Sequence, residues 1–371
     1  MSKMSRCRSV LLVGLLAFTA VPGCISQDNV SQQPVSQWLV SPELLGTDKL
    51  EIIWRNELPL KQGESLKDLR ILGGRIYGLS DRNYMVSLNR ENGNVIFSRP
   101  VAPVGLPLIG LELYKDELFS IIGNRLVEIN PDSGIERRAK HLGFNAVCPA
   151  ARNSSCFYAA GTDRRVHTLR AADNVQLFEV AAENDSMITS IVADERFFVF
   201  TTDTGNCVSV APDRPNRLWQ FDAAGGIVEP IIRDRNSLFF ASKDTNVYRL
   251  NILTGKFIWK YQTGAALEKS PRVTQEVVYQ YARNKGLAAI DRESGDVLWL
   301  LPEGVDLLAQ ADGKTYVITN TAELVVMDNK KSERLYSVNL PGVSRYAVNV
   351  ADSKIYIADE TGRIACLKPV E

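Results

Sequence analysis

The feature that most constrains this chain is a repeat of about forty residues. Segment 251–259 reads NILTGKFIW and segment 291–299 reads DRESGDVLW, so a Thr-Gly or Ser-Gly turn and a tryptophan recur at one spacing. The pattern can be followed through the apolar residue five positions before the turn glycine. These anchors are Leu88, Ile129, Leu169, Val210, Leu250, Ile290, Met327 and Leu367, separated by 41, 40, 41, 40, 40, 37 and 40 residues. Such a period is typical of stacked supersecondary units, and eight of them fit in this chain.

Each unit carries the pattern of a β-hairpin just before its anchor. Examples are RIYGLSDRNYMVSL (75–88) and KIYIADETGRIACL (354–367), in which two β-rich runs flank Gly, Asn or Asp. A second turn follows the anchor, and glycine at this turn tolerates the positive φ that a tight connection needs. The residues at the turn position are Gly93, Gly134, Asn174, Pro215, Gly255, Gly295 and Ser332. We expect the three units without glycine to turn less ideally.

A large side chain stands four residues past each of these turns. The residues are Phe97, Arg138, Phe178, Trp219, Trp259, Trp299 and Tyr336, of which only Arg138 is not aromatic. The constant spacing places one ring at a fixed point on the fourth strand of each unit, where it can fill the gap to the neighbouring unit. Burial of such a ring stabilises the fold by roughly 2 to 3 kcal/mol.

Forty-residue units of four short strands predict an all-β fold, an eight-bladed β-propeller with four-stranded antiparallel blades. The eighth unit ends after its third strand. Segment 48–60, DKLEIIWRNELPL, alternates like an outer strand, and its Trp54 matches the missing ring. We therefore expect this N-terminal strand to complete the last blade and remove an exposed edge. A solenoid would not explain this division of one blade, and a transmembrane barrel lacks a repeat of this length.

The N-terminal segment indicates export and lipidation. Basic residues Lys3, Arg6 and Arg8 precede the apolar run SVLLVGLLAFTAV (9–21), which is too short for a membrane span. The run ends in Pro-Gly-Cys24, so the segment resembles a bacterial lipoprotein signal, with an ordinary cleaved signal as the alternative. We expect residues 1–23 to be the signal peptide, 24–47 a lipidated Cys24 with a flexible Ser-, Gln- and Pro-rich tether, and 48–371 the propeller.

Composition and motifs exclude several function classes. Lysine plus arginine equal aspartate plus glutamate at 43 each, so no net charge attracts nucleic acid. The sequence contains no nucleophile elbow, zinc-protease, P-loop or dinucleotide motif, and its two histidines, His141 and His167, form no zinc pattern with the cysteines. We predict no catalytic residue, metal site or cofactor. Cys148 and Cys156 could pair across a short loop in an oxidising compartment.

The NILTGKFIW and DRESGDVLW segments resemble the tryptophan-docking repeats of propellers related to pyrroloquinoline quinone enzymes, and the resemblance covers residues 48–371. One branch of that group, the quinoprotein dehydrogenases, holds the quinone and calcium with adjacent cysteines and dedicated carboxylates; this chain has no adjacent cysteine pair. The other branch is the BamB family of lipoproteins in the outer-membrane β-barrel assembly machinery. The lipid signal, polar tether, eight units and KIYIADETGRIACL segment are similar to that family.

The resemblance implies a monomeric, non-catalytic scaffold that is palmitoylated at the outer membrane, faces the periplasm and binds the BamA-like barrel protein of the machinery. In the BamB family the contact uses loops joining the fourth strand of one blade to the first strand of the next. The corresponding stretches are TGAALEKSP (263–271) and PEGVDLLAQ (302–310), and the matching residues are Leu267, Lys269 and Asp306. The alternative is an envelope-anchored propeller that binds a carbohydrate or another envelope protein.

Overall fold

Eight four-stranded antiparallel sheets make up the structure, a computed structural model that describes residues 39–46, 49–228 and 230–370. The predicted eight-bladed propeller is therefore confirmed. The predicted signal peptide (1–23) and the lipidation site Cys24 lie outside the described residues. Within the described ranges, no helix has the length and apolarity needed to cross a bilayer.

The strands follow the chain in order, four to a blade. A short helix, α1 (Pro42–Leu45), precedes strand β1 (Leu50–Glu57). Blades 1 to 4 contain β2 (Leu66–Leu72), β3 (Arg75–Ser80), β4 (Tyr84–Asn89), β5 (Val95–Pro100), β6 (Leu108–Tyr114), β7 (Glu117–Ile122), β8 (Arg125–Ile129), β9 (Glu136–His141), β10 (Ala151–Arg152), β11 (Cys156–Ala160), β12 (Arg165–Arg170), β13 (Gln176–Ala181), β14 (Ile188–Ala193), β15 (Phe198–Thr202), β16 (Asn206–Val210) and β17 (Arg217–Asp222). A short 3₁₀ helix, Glu183–Asp185, lies between β13 and β14.

The second half of the ring repeats this arrangement. Blades 5 to 8 contain β18 (Ile232–Asp234), β19 (Ser237–Ala241), β20 (Asn246–Asn251), β21 (Phe257–Gln262), β22 (Arg272–Val273), β23 (Val277–Ala282), β24 (Gly286–Asp291), β25 (Val297–Leu301), β26 (Gly304–Ala311), β27 (Lys314–Thr319), β28 (Glu323–Asp328), β29 (Glu333–Asn339), β30 (Arg345–Ala347), β31 (Ile355–Ala358) and β32 (Arg363–Pro369). Blade 8 has only three of these strands, and β1 is its fourth.

The pairing of β1 with β32 closes the ring as the sequence predicts. The two strands are antiparallel, with Leu50 opposite Pro369 and Glu57 opposite Arg363, and a β-bulge lies between Ile52 and Trp54. Trp54 is 8% exposed, and its ring centroid lies 6.1 Å from that of Tyr356 in blade 8. Strand β1, the first strand in the described chain, therefore completes blade 8.

The aromatic rings dock on the turn of the following blade. Trp259 in blade 5 lies against Gly295 in blade 6, and its indole Nε1 donates a hydrogen bond to the carbonyl oxygen of Arg292 at 2.9 Å. Trp54 makes the same contact with blade 1, against Gly93 and with a 3.2 Å bond to the carbonyl oxygen of Arg90. The ring is thus closed by the same contact that joins neighbouring blades.

Three of the units that depart from the repeat, those of Arg138, Asn174 and Ser332, use equivalent geometry. Arg138 takes the aromatic position of blade 2, and its guanidinium donates to the carbonyl oxygens of Ala171 and Ala172 in the next blade, both at 2.5 Å. Asn174 and Ser332 both adopt a φ of +57°, in the left-handed region that glycine occupies at this turn elsewhere. These two turns therefore have the same left-handed backbone as the glycine turns, and the expectation that they turn less ideally is wrong for both.

The propeller geometry defines two regions used below. The first strands of neighbouring blades contact each other, as β2 does β30 and β10 does β14, so these strands surround the axis, and we call the space between them the central channel. In an antiparallel four-stranded blade, the connection to the next blade lies at the same end as the turn between the second and third strands. We call that end of the propeller the connection face.

The last part of the predicted tether contacts the propeller. Val40 and Leu45 are 4% and 2% exposed and pack in a cluster formed by blades 7 and 8. The domain boundary at residue 48 stays a prediction, since most of the tether lies outside the described ranges.

Candidate functional site

The first predicted binding stretch, 263–271, lies on the connection face between β21 and β22. Leu267 is only 2% exposed and packs in a core cluster with Trp259 and Val273. Lys269 is partly exposed; its ammonium group lies 4.8 Å from the ring centroid of Tyr281, and its carbonyl oxygen accepts a hydrogen bond from Gln280 Nε2 at 2.9 Å. Of these two predicted residues, only Lys269 presents a side chain to solvent.

Asp306, the third predicted residue, lies in strand β26 rather than in a loop. The connection between blades 6 and 7 consists of Pro302 and Glu303 alone, so most of the second stretch forms the first strand of blade 7. Asp306 is 5% exposed and accepts two hydrogen bonds from Arg272, Nε to Oδ1 at 2.9 Å and Nη2 to Oδ2 at 2.8 Å. Tyr346 also donates to Oδ2, at 3.3 Å.

The Asp306 cluster joins the first strands of blades 6, 7 and 8. Burial disfavours the charge of Arg272, but the hydrogen bonds and the charge of Asp306 more than offset this and raise the pKa of Arg272 above its usual value. A paired and buried carboxylate of this kind has its acceptor sites filled within the fold. The structure therefore places Asp306 in an ion pair that links neighbouring blades.

The most exposed large apolar side chain on the connection face belongs to a residue that sequence reasoning missed. Val104 is 71% exposed in the connection 101–107 between β5 and β6. Hydrogen bonds fix this loop to blade 1, since Asn83 Nδ2 donates to the carbonyl oxygens of Pro103 and Leu106, both at 2.8 Å. The segment VAPVGLP reads only as a turn-forming connection, so no local signal distinguishes a projecting valine from a packed one.

A cavity of about 810 Å³ lies along the central channel. It is lined by the first strands of blades 2 to 5 and the residues that flank them, with Arg70 of blade 1 at its edge. Glu112 of β6 is a partly buried carboxyl in this wall. Burial raises its pKa to about 7, against the lowering effect of the Arg70 charge. The segment LELY around Glu112 gives no sign of this, because five blades create the cavity.

Cys156 and His167 are packed within the fold. Cys156 is a buried free thiol, so the pairing with Cys148 that the sequence allows is not formed. Burial raises the pKa of Cys156, which disfavours the reactive thiolate. His167 stacks on Phe144 with ring centroids 3.9 Å apart and bonds to Asp163 at 2.8 Å. Among the described residues, no group of three His, Cys, Asp or Glu side chains could hold a metal ion.

Comparison with known proteins agrees with this architecture. Residues 204–308 match the sequence model of the family described as "Outer membrane protein assembly factor BamB". The crystal structure of BamB from Moraxella catarrhalis aligns with a TM-score of 0.66 and 12% identity, covering 86% of this chain and 97% of that one. The crystal structure of the computationally designed Ika8 protein aligns with a TM-score of 0.65 and 11% identity, covering 86% and 99%.

The structural likenesses, at such low identity, show the fold alone, whereas the family match also rests on sequence. No curated protein matches the chain in the sequence comparison. The matched segment runs from the second-to-third strand turn of blade 4 to the first strand of blade 7, and so includes both NILTGKFIW and DRESGDVLW. The resemblance to the BamB family that these repeats predict is therefore confirmed over residues 204–308, and the fold as a whole is an eight-bladed β-propeller.

Proposed function

We propose that this protein is a non-catalytic, lipid-anchored scaffold that docks the outer-membrane β-barrel assembly machinery and assists the insertion of outer-membrane proteins. The observation that carries the proposal is the match of residues 204–308 to the outer membrane protein assembly factor family, within a propeller of the same fold. The lipoprotein-like signal before Cys24 supports an anchor in the outer membrane with the propeller on the periplasmic side. The partner is the BamA-like barrel protein of that machinery.

The connection face supplies the docking surface. A solvent-exposed valine on a loop that is already fixed loses little conformational entropy on binding, and burial of its side chain contributes roughly 1.5 to 3 kcal/mol. Val104 therefore serves as an apolar anchor, and Lys269, four connections further round the ring on the same face, is available for a separate polar contact. Leu267 and Asp306 have structural roles: Leu267 packs beneath the connection, and Asp306 links the first strands of neighbouring blades.

Recovery of partners from solubilised membranes tests this proposal. We expect full-length protein to recover a barrel protein with periplasmic docking domains, and Val104→Asp to reduce that recovery by about tenfold, because a charge replaces the apolar anchor. Val350→Asp is the matched control: Val350 is 45% exposed in the connection between β30 and β31, at the opposite end of the propeller. Equal recovery by both variants would refute this docking surface, and absence of any barrel protein would favour the carbohydrate- or envelope-protein-binding alternative.

Two further measurements address the anchor and the lack of catalysis. Cys24→Ala should release the protein from membranes, and retention of a cleaved, processed variant would indicate a different anchor. Calorimetry with pyrroloquinoline quinone and Ca²⁺ should show no binding, and a stoichiometric complex would contradict the non-catalytic assignment.

A further inference from the structure

The cavity in the central channel has the size and lining of a ligand site. Its volume of about 810 Å³ falls within the range of roughly 300 to 1,000 Å³ that small-molecule sites occupy. Apolar side chains of Ile109, Val147 and Ile191 form part of the wall, and they come from blades 2, 3 and 4. A ligand with a short hydrocarbon part could therefore be accommodated.

The arginines and the glutamate that line the cavity differ in whether they have an ion-pair partner within the protein. Three arginines line it, and each is already in an ion pair with an acid of its own or an adjacent blade. The pairs are Arg70 with Asp68, Arg152 with Glu117 and Arg233 with Asp194. Glu112 differs, because among residues 39–46, 49–228 and 230–370 no hydrogen bond or ion pair reaches its carboxyl group. Glu112 is thus a carboxylate in the wall without a direct partner, on which only the more distant charge of Arg70 acts.

Unpaired carboxylates in a partly desolvated site favour cationic ligands. The titratable and charged groups that line the cavity together with Glu112 are Arg70, Tyr114, Cys148, Arg152 and Arg233. An anion would gain little from arginines that are already neutralised and would be repelled by Glu112. A hard divalent cation needs six or more oxygen ligands, and this wall offers a single carboxylate. An ammonium or guanidinium group, by contrast, forms a charge-assisted hydrogen bond with one carboxylate.

We propose that the central-channel cavity binds an organic cation, a primary ammonium or guanidinium group on a short hydrocarbon chain, with Glu112 as its counter-ion. The cation could belong to a free small amine or to a lysine or arginine side chain of a peptide that enters the channel. Both sources present the same chemistry to Glu112. This site is separate from the docking surface on the connection face, so either proposal can fail without the other.

Titration calorimetry on the full chain tests the proposal with two probes, n-butylammonium and the capped tripeptide Gly-Lys-Gly. We expect at least one probe to bind the wild type and to bind Glu112→Gln about tenfold more weakly or worse, since a charge-assisted hydrogen bond is lost while the side-chain shape is kept. Binding of butylammonium alone identifies a free amine as the ligand class, and tighter binding of the tripeptide identifies a basic side chain.

Asp116→Asn is the matched control, because it removes one negative charge only four residues away, at an exposed turn outside the cavity. This variant should bind as the wild type does. Affinity should also rise about tenfold between pH 6 and pH 8 as Glu112 ionises while the ammonium stays protonated. Equal affinity of wild type and Glu112→Gln, equal weakening by both variants, or no binding of either probe would overturn the proposal.

Discussion

Gly295 is a position at which a single methyl group should damage the contact between blades. Its φ is +82°, and an added Cβ would lie 2.8 Å from both Cδ2 and Cγ of Trp259. A left-handed backbone costs a non-glycine residue about 1 to 2 kcal/mol, and forcing extra volume against a packed ring costs about 1 to 3 kcal/mol more. Gly295→Ala should therefore lower the free energy of unfolding by about 2 to 5 kcal/mol.

Gly105 provides a control with the same backbone strain and no steric conflict. Its φ is also +82°, but no atom lies within 4 Å of an added Cβ. Gly105→Ala should cost only the backbone part, about 1 to 2 kcal/mol. Urea unfolding followed by circular dichroism measures both variants, with transition slopes compared to confirm that the same surface is exposed.

A double-mutant cycle then isolates the contact with the ring. In a Trp259→Ala background the two indole atoms nearest the new methyl group, Cγ and Cδ2, are gone and only Cβ remains, at 3.1 Å, so the cost of Gly295→Ala should fall towards that of Gly105→Ala. If Gly295→Ala and Gly105→Ala cost the same in the wild-type background, or if the cost at Gly295 does not depend on residue 259, the argument that ring docking requires this glycine is wrong.

The remaining predictions concern closure, a blade tie and pH. Trp54→Ala should lower the free energy of unfolding by about 3 to 5 kcal/mol and increase hydrogen exchange first in β1 and β32, because it removes the contact that closes the ring; uniform exchange over all blades would contradict this. Asp306→Asn should destabilise by about 1 to 3 kcal/mol, since it leaves the partly buried Arg272 without its ion partner, yet the folded variant should recover the barrel protein as well as wild type does. Because burial raises the pKa of Glu112 from 4.5 to about 7, its contribution to stability is fully present below pH 4.5 and is lost as the pH rises through 7. Glu112→Gln should therefore unfold like wild type at pH 4 and be more stable at pH 8, by roughly 3 kcal/mol at most; a difference of the opposite sign in urea unfolding would exclude this account.

The fold could be predicted from the sequence because its determinants are local and repeated. The turn glycine and the residue four positions later lie in one short segment, so their spacing is visible without knowledge of distant contacts. The role of Trp54 could be inferred for a similar reason, since the eighth unit lacks a strand and this residue matches the missing ring. Arg138 shows the limit of prediction from the repeat. The pattern marks this residue as an exception, but it does not predict the hydrogen bonds from Arg138 to the carbonyl oxygens of the next blade.

The candidate sites depend on contacts between distant segments, which one sequence does not reveal. Asp306 was expected in a loop, but the connection before it is only two residues long, and its partner Arg272 lies 34 residues earlier in the chain. Leu267 resembles an exposed loop residue in the sequence and is buried because Trp259 and Val273 converge on it. Val104 differs from other valines in its exposure, and Glu112 differs from most other glutamates in lacking a direct partner. Both properties depend on how the blades assemble into the ring.

The pairing of β1 with β32 has a consequence for biosynthesis. About 300 residues separate the two strands, whereas every other blade is made of strands that follow one another in the chain. At roughly 5 to 20 residues per second, β1 leaves the ribosome about 15 to 60 s before its partner exists. Whenever folding takes place before β32 has paired, the other blades can form one after another, while β1 keeps an unpaired edge that other chains could join. The incompletely folded protein therefore needs protection chiefly at one strand, and the arrival of β32 converts an open arc into a ring.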